Sequence, residues 1–209
     1  MLQTLQGYFL SQCSAGGSMP KKTKKGQKTK VELLENFLIV WDSILGSQLY
    51  KNGYYGKPLG IAKPKIPEFT VPLILDLMEG VYLTEKGSIA VFEGAKKTEV
   101  GLTKLKQKAK QLYSEFNEKY AVYQDLRESG LIVTPGIKFG CDFAVYKYGP
   151  GVEHAPYMVS VKTHTANISA TEIVKAGRLA TTVRKRFIIA VPSIGREKVK
   201  YFIFEWFKA

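Results

Sequence analysis

A strand, a helix and a second strand follow one another in the stretch that decides the fold. Residues 157–191 read YMVSVKTHTANISATEIVKAGRLATTVRKRFIIAV. The first six and the last five of these residues are largely apolar and rich in Val and Ile, which indicates strands of a covered sheet. Between them, Ser169 and Glu172 have the spacing of a capping box, which predicts a helix from there to about Arg184. Strands on both sides of one helix predict a mixed sheet flanked by helices.

The segments around this stretch extend the predicted C-terminal domain to residues 101–209. Apolar residues recur at helical spacing from Leu102 to Ser129, which predicts one long helix, and Gly130 suits its C-terminal cap. The remaining predicted strands of this domain cover residues 131–133, 138–146 and 199–207.

A smaller N-terminal α/β domain is predicted over residues 31–100, so the fold class of the whole chain is α/β (α+β). Helical spacing predicts a buried helix that starts near Leu73 and stops at Gly87. The other predicted elements are strands at 31–34 and 37–41, a helix at 43–52, a loop rich in Gly, Pro and Lys at 54–67, and a strand at 89–92.

The charge balance favours a polyanionic partner. The chain has 31 Lys and Arg against 18 Asp and Glu, a formal net charge of +13, and 12% aromatic residues. Basic side chains attract nucleic acid and aromatic rings stack on its bases, although a merely basic, solvated surface explains the charge equally well. Six of the ten residues from 21 to 30 are lysines, so residues 1–30 are predicted to be a disordered basic tail.

Composition also excludes several classes of protein. No apolar run approaches the ~18 residues that a membrane span requires. Cys13 and Cys141, with two histidines, cannot supply a four-ligand zinc site at normal spacing, and a disulfide framework is equally unexpected. A reducing, cytoplasmic setting is therefore expected, with no cofactor.

A candidate for acid–base chemistry lies in a Gly/Pro-rich turn between two predicted strands. His154 is one of two histidines, and imidazole can donate a proton near neutral pH. A single loop histidine is nevertheless more often an ordinary surface residue. Cations cluster near the predicted helix end, and the spacing of Arg178 and Lys185 places both on one helical face; the helix macrodipole alone also favours cations there.

Ordered motifs resemble those of the archaeal tRNA-splicing endonuclease family over about residues 31–209. His154 and Lys185 stand 31 positions apart, similar to the separation in that family. The C-terminal motifs are Lys138-Phe-Gly-Cys-Asp-Phe-Ala-Val-Tyr146, Glu153-His-Ala-Pro-Tyr157, Gly177-Arg-Leu-Ala180 and Val183-Arg-Lys185. The N-terminal ones are Tyr54-Tyr-Gly-Lys-Pro-Leu-Gly-Ile-Ala-Lys-Pro-Lys65, Pro72-Leu-Ile-Leu75 and Glu79-Gly-Val-Tyr-Leu83.

The resemblance implies a catalytic nuclease domain over residues 101–209. The substrate would be precursor tRNA, cut without a metal at the bulge-helix-bulge of its intron–exon junctions, leaving a 2′,3′-cyclic phosphate and a 5′-hydroxyl. It implies Tyr146 as the base on the 2′-hydroxyl, His154 as the acid for the 5′ oxygen and Lys185 as the stabiliser of the phosphorane. Arg178 matches an arginine that clamps a bulged base by cation–π stacking. Tyr148 and Tyr157 compete with Tyr146 for the role of base.

Two features depart from the family pattern. The interval from Tyr146 to His154 is short, and the predicted hairpin loop at residues 193–198 is basic where homologues that build a tetramer interface carry an acidic loop. A basic loop cannot dock into a cationic pocket on a copy of the same chain. We therefore expect a second, noncatalytic subunit and an (αβ)2 heterotetramer.

Two alternatives remain open at the level of sequence. One is a metal-dependent nuclease on a similar sheet, which would need a carboxylate two residues before a lysine on one strand; no Asp or Glu of this chain has that spacing. The other is a noncatalytic RNA-binding subunit of the same kind of complex. The predicted phosphate contacts are Lys57, Lys63, Lys65, Arg184 and Arg196, although ordinary solvated side chains explain these residues equally well.

Overall fold

The computed structural model describes residues 28–62, 64, 66–182, 184–193 and 199–204. Within these ranges the chain divides into two compact units, one up to Phe116 and one from Asn117 onward. The predicted tail lies outside the described residues up to position 27, and the first strand begins at Thr29. The predicted boundary between an N-terminal domain at residues 31–100 and a C-terminal domain at residues 101–209 stays a prediction.

The first unit is a six-stranded mixed sheet with helices. The strand order is β3-β4-β2-β1-β5-β6, in which β1 and β5 are parallel and the other pairs are antiparallel. The elements are β1 (Thr29–Leu33), β2 (Phe37–Val40), α1 (Ser43–Gly53), β3 (Lys57–Pro58), β4 (Leu73–Asp76), α2 (Leu77–Glu85), β5 (Ile89–Glu93), β6 (Thr98–Glu99) and α3 (Leu102–Leu112).

The prediction of a helix from Leu73 was wrong for its first four residues. Leu73 and Leu75 alternate with less buried neighbours as the two core positions of β4, and the helix starts only at Leu77. A capping box marks that start, because Asp76 accepts from the backbone of α2 while the side chain of Glu79 accepts from the backbone N–H of Asp76. The apolar residues of this segment follow the period of a strand up to Asp76 and that of a helix from Leu77, so the whole segment resembled one helix.

The second unit is a five-stranded mixed sheet, as the sequence predicted. The strand order is β11-β10-β9-β8-β7, and β9 and β10, which α5 connects, form its parallel pair. The elements are α4 (Phe116–Glu128), β7 (Ile132–Pro135), a short 3-10 helix (Ile137–Phe139), β8 (Phe143–Tyr146), β9 (Tyr157–Val161), α5 (Ala170–Thr182), β10 (Arg186–Val191) and β11 (Lys200–Phe204).

The single helix predicted from Leu102 to Ser129 is two helices, α3 and α4. The break covers three residues, and Glu115 within it adopts a left-handed conformation with φ 55°. Neither Gly nor Pro stands there, so the sequence carries no ordinary breaking signal. The predicted cap is confirmed, since Gly130 has φ 82° and its N–H donates to the carbonyl of Arg127 at 3.0 Å.

The strand predicted from Lys138 is confirmed only in its second half. Residues 137–139 form the 3-10 helix, and Gly140 leaves it with φ 65°, a conformation that a glycine adopts without strain. β8 then begins at Phe143. The carboxylate of Asp142 secures this start, because it accepts from the N–H of Val161 at 2.7 Å and pairs with Lys119 at 3.0 Å.

The register of the second sheet assigns residues to its two faces. Ala144 pairs with Met158 and Met158 with Phe187, so these three side chains share one face, on which Ala176 of α5 packs. The other face carries Phe143, whose ring lies 6.0 Å from that of Tyr123 on α4. The sheet is therefore covered on both faces, which agrees with its nearly continuous apolar strands.

Two of the exclusions drawn from composition concern membranes and cysteines. Over the part of the chain that the structure describes, no helix is long and apolar enough to cross a membrane. Cys141 is a free thiol, and burial raises its pKa to about 11. Cys13 lies outside the described residues.

Candidate active site

Three strands of the second sheet bring candidate residues to one end of it. Val145 of β8 pairs with Tyr157 of β9, which pairs with Arg186 of β10. One step beyond these partners, on the opposite face, stand Tyr146 and Lys185. With neighbouring strands ~4.8 Å apart, the backbones of Tyr146 and Lys185 are separated by roughly 10 Å, across the width of one intervening strand.

The ammonium group of Lys185 is anchored at this end of the sheet. Its Nζ donates to the carbonyl oxygen of Ala155 at 2.5 Å and lies 5.0 Å from the centre of the Phe139 ring, a cation–π distance. Partial burial lowers the pKa of Lys185. Because Ala155 follows His154 directly in the chain, Lys185 is tied to the backbone next to the candidate acid.

Lys185 lies outside the helix on whose face the sequence placed it together with Arg178. α5 ends at Thr182, and Arg184 turns the chain with φ 53° into β10. The prediction that Arg178 and Lys185 share a helical face is therefore wrong. Arg178 is exposed on α5, and Arg184 is exposed in the turn.

The three candidate tyrosines differ in their surroundings. Tyr146 is half-buried at the end of β8, on the face of the sheet that carries Lys185. Tyr157 is 3% exposed and, as the partner of Val145, belongs to the other face. Tyr148 is 65% exposed in the loop after β8. Of the three, Tyr146 combines partial exposure with the face of Lys185.

The two histidines stand at opposite ends of β9. His154 is exposed in the loop that leads into this strand, and His164 is exposed in the turn that follows it. A strand of five residues spans about 17 Å, so the two imidazoles occupy distinct places in the unit. His154 is the one adjacent to the anchor of Lys185.

The remaining predicted RNA contacts are spread over the chain. Lys57 is exposed on β3 of the first unit. Lys63, Lys65 and Arg196 lie outside the described residues, so their roles stay predictions. Lys57 belongs to the first unit, whereas Tyr146 and Lys185 belong to the second.

Two residues near the site were not predicted from the sequence to have a role there. Phe139 offers its ring to Lys185, and Glu153 binds the backbone at the start of the loop that carries His154. Both stand inside the motifs that carried the resemblance. A carboxylate directly before a candidate histidine, after a Gly-Pro-Gly turn, was the available signal for Glu153.

Lys162 corresponds to the strand lysine of a metal-dependent nuclease site, but its surroundings differ from such a site. Lys162, just after β9, forms an ion pair with Glu172 of α5 at 3.3 Å, and Ser160 occupies the position two residues before it. Among the described residues, no group of three or more His, Cys, Asp or Glu side chains is arranged to hold a metal ion.

Family models match both parts of the chain. The model described as tRNA intron endonuclease, N-terminal domain, matches residues 29–103, and the one described as tRNA intron endonuclease, catalytic C-terminal domain, matches residues 116–201. These two matches define the class as a two-domain RNA endonuclease, which confirms the predicted fold class and the prediction of an enzyme.

Curated relatives agree over most of their lengths. The tRNA-splicing endonuclease of Hyperthermus butylicus is 42% identical over 81% of this chain and 93% of its own. That of Sulfurisphaera tokodaii is 40% identical over 85% and 98%, and that of Saccharolobus solfataricus 44% identical over 77% and 88%. The chain belongs to the tRNA-splicing endonuclease family.

Proposed function

We propose that this chain is the catalytic subunit of a tRNA-splicing endonuclease that cleaves precursor tRNA at the bulge-helix-bulge of its intron–exon junctions. The reaction needs no metal, because the 2′-hydroxyl of the substrate itself attacks the neighbouring phosphorus. The products are a 2′,3′-cyclic phosphate and a 5′-hydroxyl. The observation that carries the proposal is the hydrogen bond from Lys185 to the carbonyl of Ala155, the residue after His154, at the end of the sheet where Tyr146 stands.

Each residue has a role suited to its position. Tyr146 removes the proton from the 2′-hydroxyl, His154 protonates the departing 5′ oxygen, and Lys185 stabilises the extra negative charge on the pentacovalent phosphate. Tyr146 and Lys185 stand at the same end and on the same face of the sheet, which suits a base and a cation that act on one phosphate. Arg178, exposed on α5, holds a bulged base by cation–π stacking.

The acid can be tested with a matched control within the same chain. We expect His154→Ala to lower the single-turnover cleavage rate of a bulge-helix-bulge RNA by about 100-fold or more, the scale of a lost general acid. His164→Ala removes the exposed histidine at the other end of β9 and should leave the rate within about 3-fold of wild type. RNA binding, measured in parallel by filter retention, should change little in either variant. Equal rates for His154→Ala and wild type would remove His154 from the mechanism.

The noncatalytic alternative predicts a different result. A subunit that only binds RNA would leave precursor tRNA intact whichever partner is supplied, and His154→Ala would be indistinguishable from wild type. The presence of all three candidate residues, with Lys185 held by two contacts, favours the catalytic role.

We further propose a second, noncatalytic subunit and an (αβ)2 assembly in the cytoplasm. The support is the basic sequence of the loop at residues 193–198, of which 194–198 lie outside the described residues. The purified chain is expected to be inactive alone and active after addition of a candidate partner with an acidic loop. Multi-angle light scattering that finds an active homotetramer would contradict the two-subunit assembly while leaving the catalytic role intact.

A further inference from the structure

The loop that carries His154 is tied down by the residue directly before it. Oε1 of Glu153 accepts from the backbone N–H of Lys147 at 2.5 Å and from that of Tyr148 at 2.6 Å. The backbone N–H of Glu153 donates in turn to the carbonyl of Gly149 at 3.2 Å. One residue therefore closes the loop through its side chain and through its main chain.

The turn inside the loop has a conformation that its sequence favours. Gly149 has φ 118° and Gly151 has φ 93°, values that side chains with a Cβ rarely adopt, and Pro150 between them has a ring that fixes its own φ. Pro150 and Glu153 form an isolated bridge across this turn. The loop is short enough that a single carboxylate reaches both N–H groups at its start.

The loop connects two of the candidate catalytic residues. It starts directly after Tyr146, at the two N–H groups that Glu153 binds, and it ends at His154, beside the carbonyl of Ala155 that holds Lys185. Fixing Glu153 against Lys147 and Tyr148 thus limits the movement of both ends of the loop. This contact is the link between the positions of the phenol and the imidazole.

We propose that Glu153 is a positioning residue of the endonuclease: its carboxylate holds the loop from Lys147 to His154 in one conformation, so that His154 is preorganised against the scissile phosphate. This inference rests on the proposed function and deepens it. Glu153 exchanges no proton with the substrate. Its contribution is to raise the fraction of molecules in which the acid is in place, and that fraction multiplies the cleavage rate.

Two conservative substitutions separate this role from an acid–base role. Glu153→Gln keeps the length of the side chain and an oxygen that accepts from both N–H groups, and it loses the charge. Glu153→Asp keeps the charge and loses one methylene, so that its oxygens no longer reach Lys147 and Tyr148. A positioning role predicts that Gln is tolerated and Asp is not, whereas a proton-transfer role predicts the reverse order.

The test measures single-turnover cleavage of a bulge-helix-bulge RNA by the complete endonuclease, assembled with its partner where the chain requires one. We expect Glu153→Gln to stay within about 3-fold of wild type, and Glu153→Asp and Glu153→Ala to lose about 10-fold or more in the rate at saturating enzyme. The pH dependence of the remaining rate should keep its shape, because the groups that transfer protons are unchanged. Glu128→Ala, at the exposed end of α4 in the same unit, is the matched control and should cleave like wild type.

Amide hydrogen exchange supplies a readout that does not depend on cleavage. The peptide that contains Lys147 and Tyr148 should exchange slowly in wild type and in Glu153→Gln, and faster in Glu153→Asp and Glu153→Ala.

The outcomes distinguish the two claims. If the unmodified complex cleaves the RNA, and Glu153→Ala shows the same cleavage rate and the same amide exchange as wild type, the positioning role is overturned and the proposed function stands. An active Glu153→Asp with an inactive Glu153→Gln would also overturn it, in favour of proton transfer. A wild-type complex that fails to cleave the RNA would overturn the proposed function, and the positioning role with it.

Discussion

The charge of Lys185 can be removed without removing the side chain that carries it. Lys185→Met keeps an unbranched, apolar stem against Phe139 and deletes the ammonium group. One unit charge acting at ~4 Å from a developing negative charge contributes about 4 kcal/mol at an effective dielectric constant of ~20. Because Lys185 is only partly buried, we reduce this to about 2–3 kcal/mol, which corresponds to a loss of about 100-fold in rate.

The same substitution should have little effect on folding. It leaves the carbonyl of Ala155 without its hydrogen bond, a cost of about 1 kcal/mol, and it removes a cation whose burial is unfavourable, as the lowered pKa of Lys185 shows. We therefore expect the melting temperature to fall by no more than about 4 °C.

Single-turnover cleavage at saturating enzyme, with thermal unfolding in parallel, measures both quantities. Lys200→Met, which removes an exposed lysine on β11, is the control and should retain wild-type cleavage. A Lys185→Met variant that cleaves within about 3-fold of wild type, while folded, would refute the assignment of Lys185 to the phosphorane.

Further predictions concern stability and thiol chemistry. Gly56→Ala should lower the free energy of unfolding by about 2–4 kcal/mol, because its Cβ would meet the carbonyl oxygen of Ile74 at 2.4 Å and φ is +73°; Gly60→Ala, with φ +76° and open space, should cost only about 1 kcal/mol. Equal costs in urea unfolding would contradict this packing. In a Cys13→Ser background, Cys141, with its pKa raised to about 11 from 9.0, should be alkylated at pH 8 about 100-fold more slowly than an unburied thiol; equal rates would contradict its burial.

The sequence predicted the second sheet well, because its signals are redundant. Apolar strands and the capping box of Ser169 and Glu172 agree, and the structure confirms the box with the N–H of Glu172 donating to Ser169 Oγ at 3.2 Å. A helix between two parallel strands then leaves few possible topologies. The strands β1 and β2 were predicted for a similar reason, since two apolar runs flank the polar pair Glu35 and Asn36, and the structure adds that they pair antiparallel.

The wrong predictions arose where the local pattern was ambiguous. Leu73 and Leu75 fit both a strand and the approach to a helix, and their register with β2 places them in the strand, while Leu77 begins α2. The break before Phe116 has no Gly or Pro, so it depends on packing that periodicity does not describe. The end of α5 was placed two residues late because Arg184 adopts a left-handed conformation, which is uncommon for arginine.

The candidate site was only partly accessible from sequence. Tyr146, His154 and Lys185 were named through family motifs, and spacing alone would have left all three open. What the motifs could not give is the support: the carbonyl of Ala155 that receives Lys185, and the carboxylate of Glu153 that closes the loop. Such contacts depend on backbone groups, which carry no sequence signal of their own.

The chemistry of the cut ends tests the central claim most directly. A bulge-helix-bulge RNA, incubated in excess chelator with this chain and its partner, should yield a 5′ fragment ending in a 2′,3′-cyclic phosphate and a 3′ fragment with a 5′-hydroxyl, as read by end-specific labelling and mass spectrometry. Cleavage that is abolished by the chelator, or that leaves a 5′-phosphate, would contradict attack by the 2′-hydroxyl and the roles given to Tyr146, His154 and Lys185.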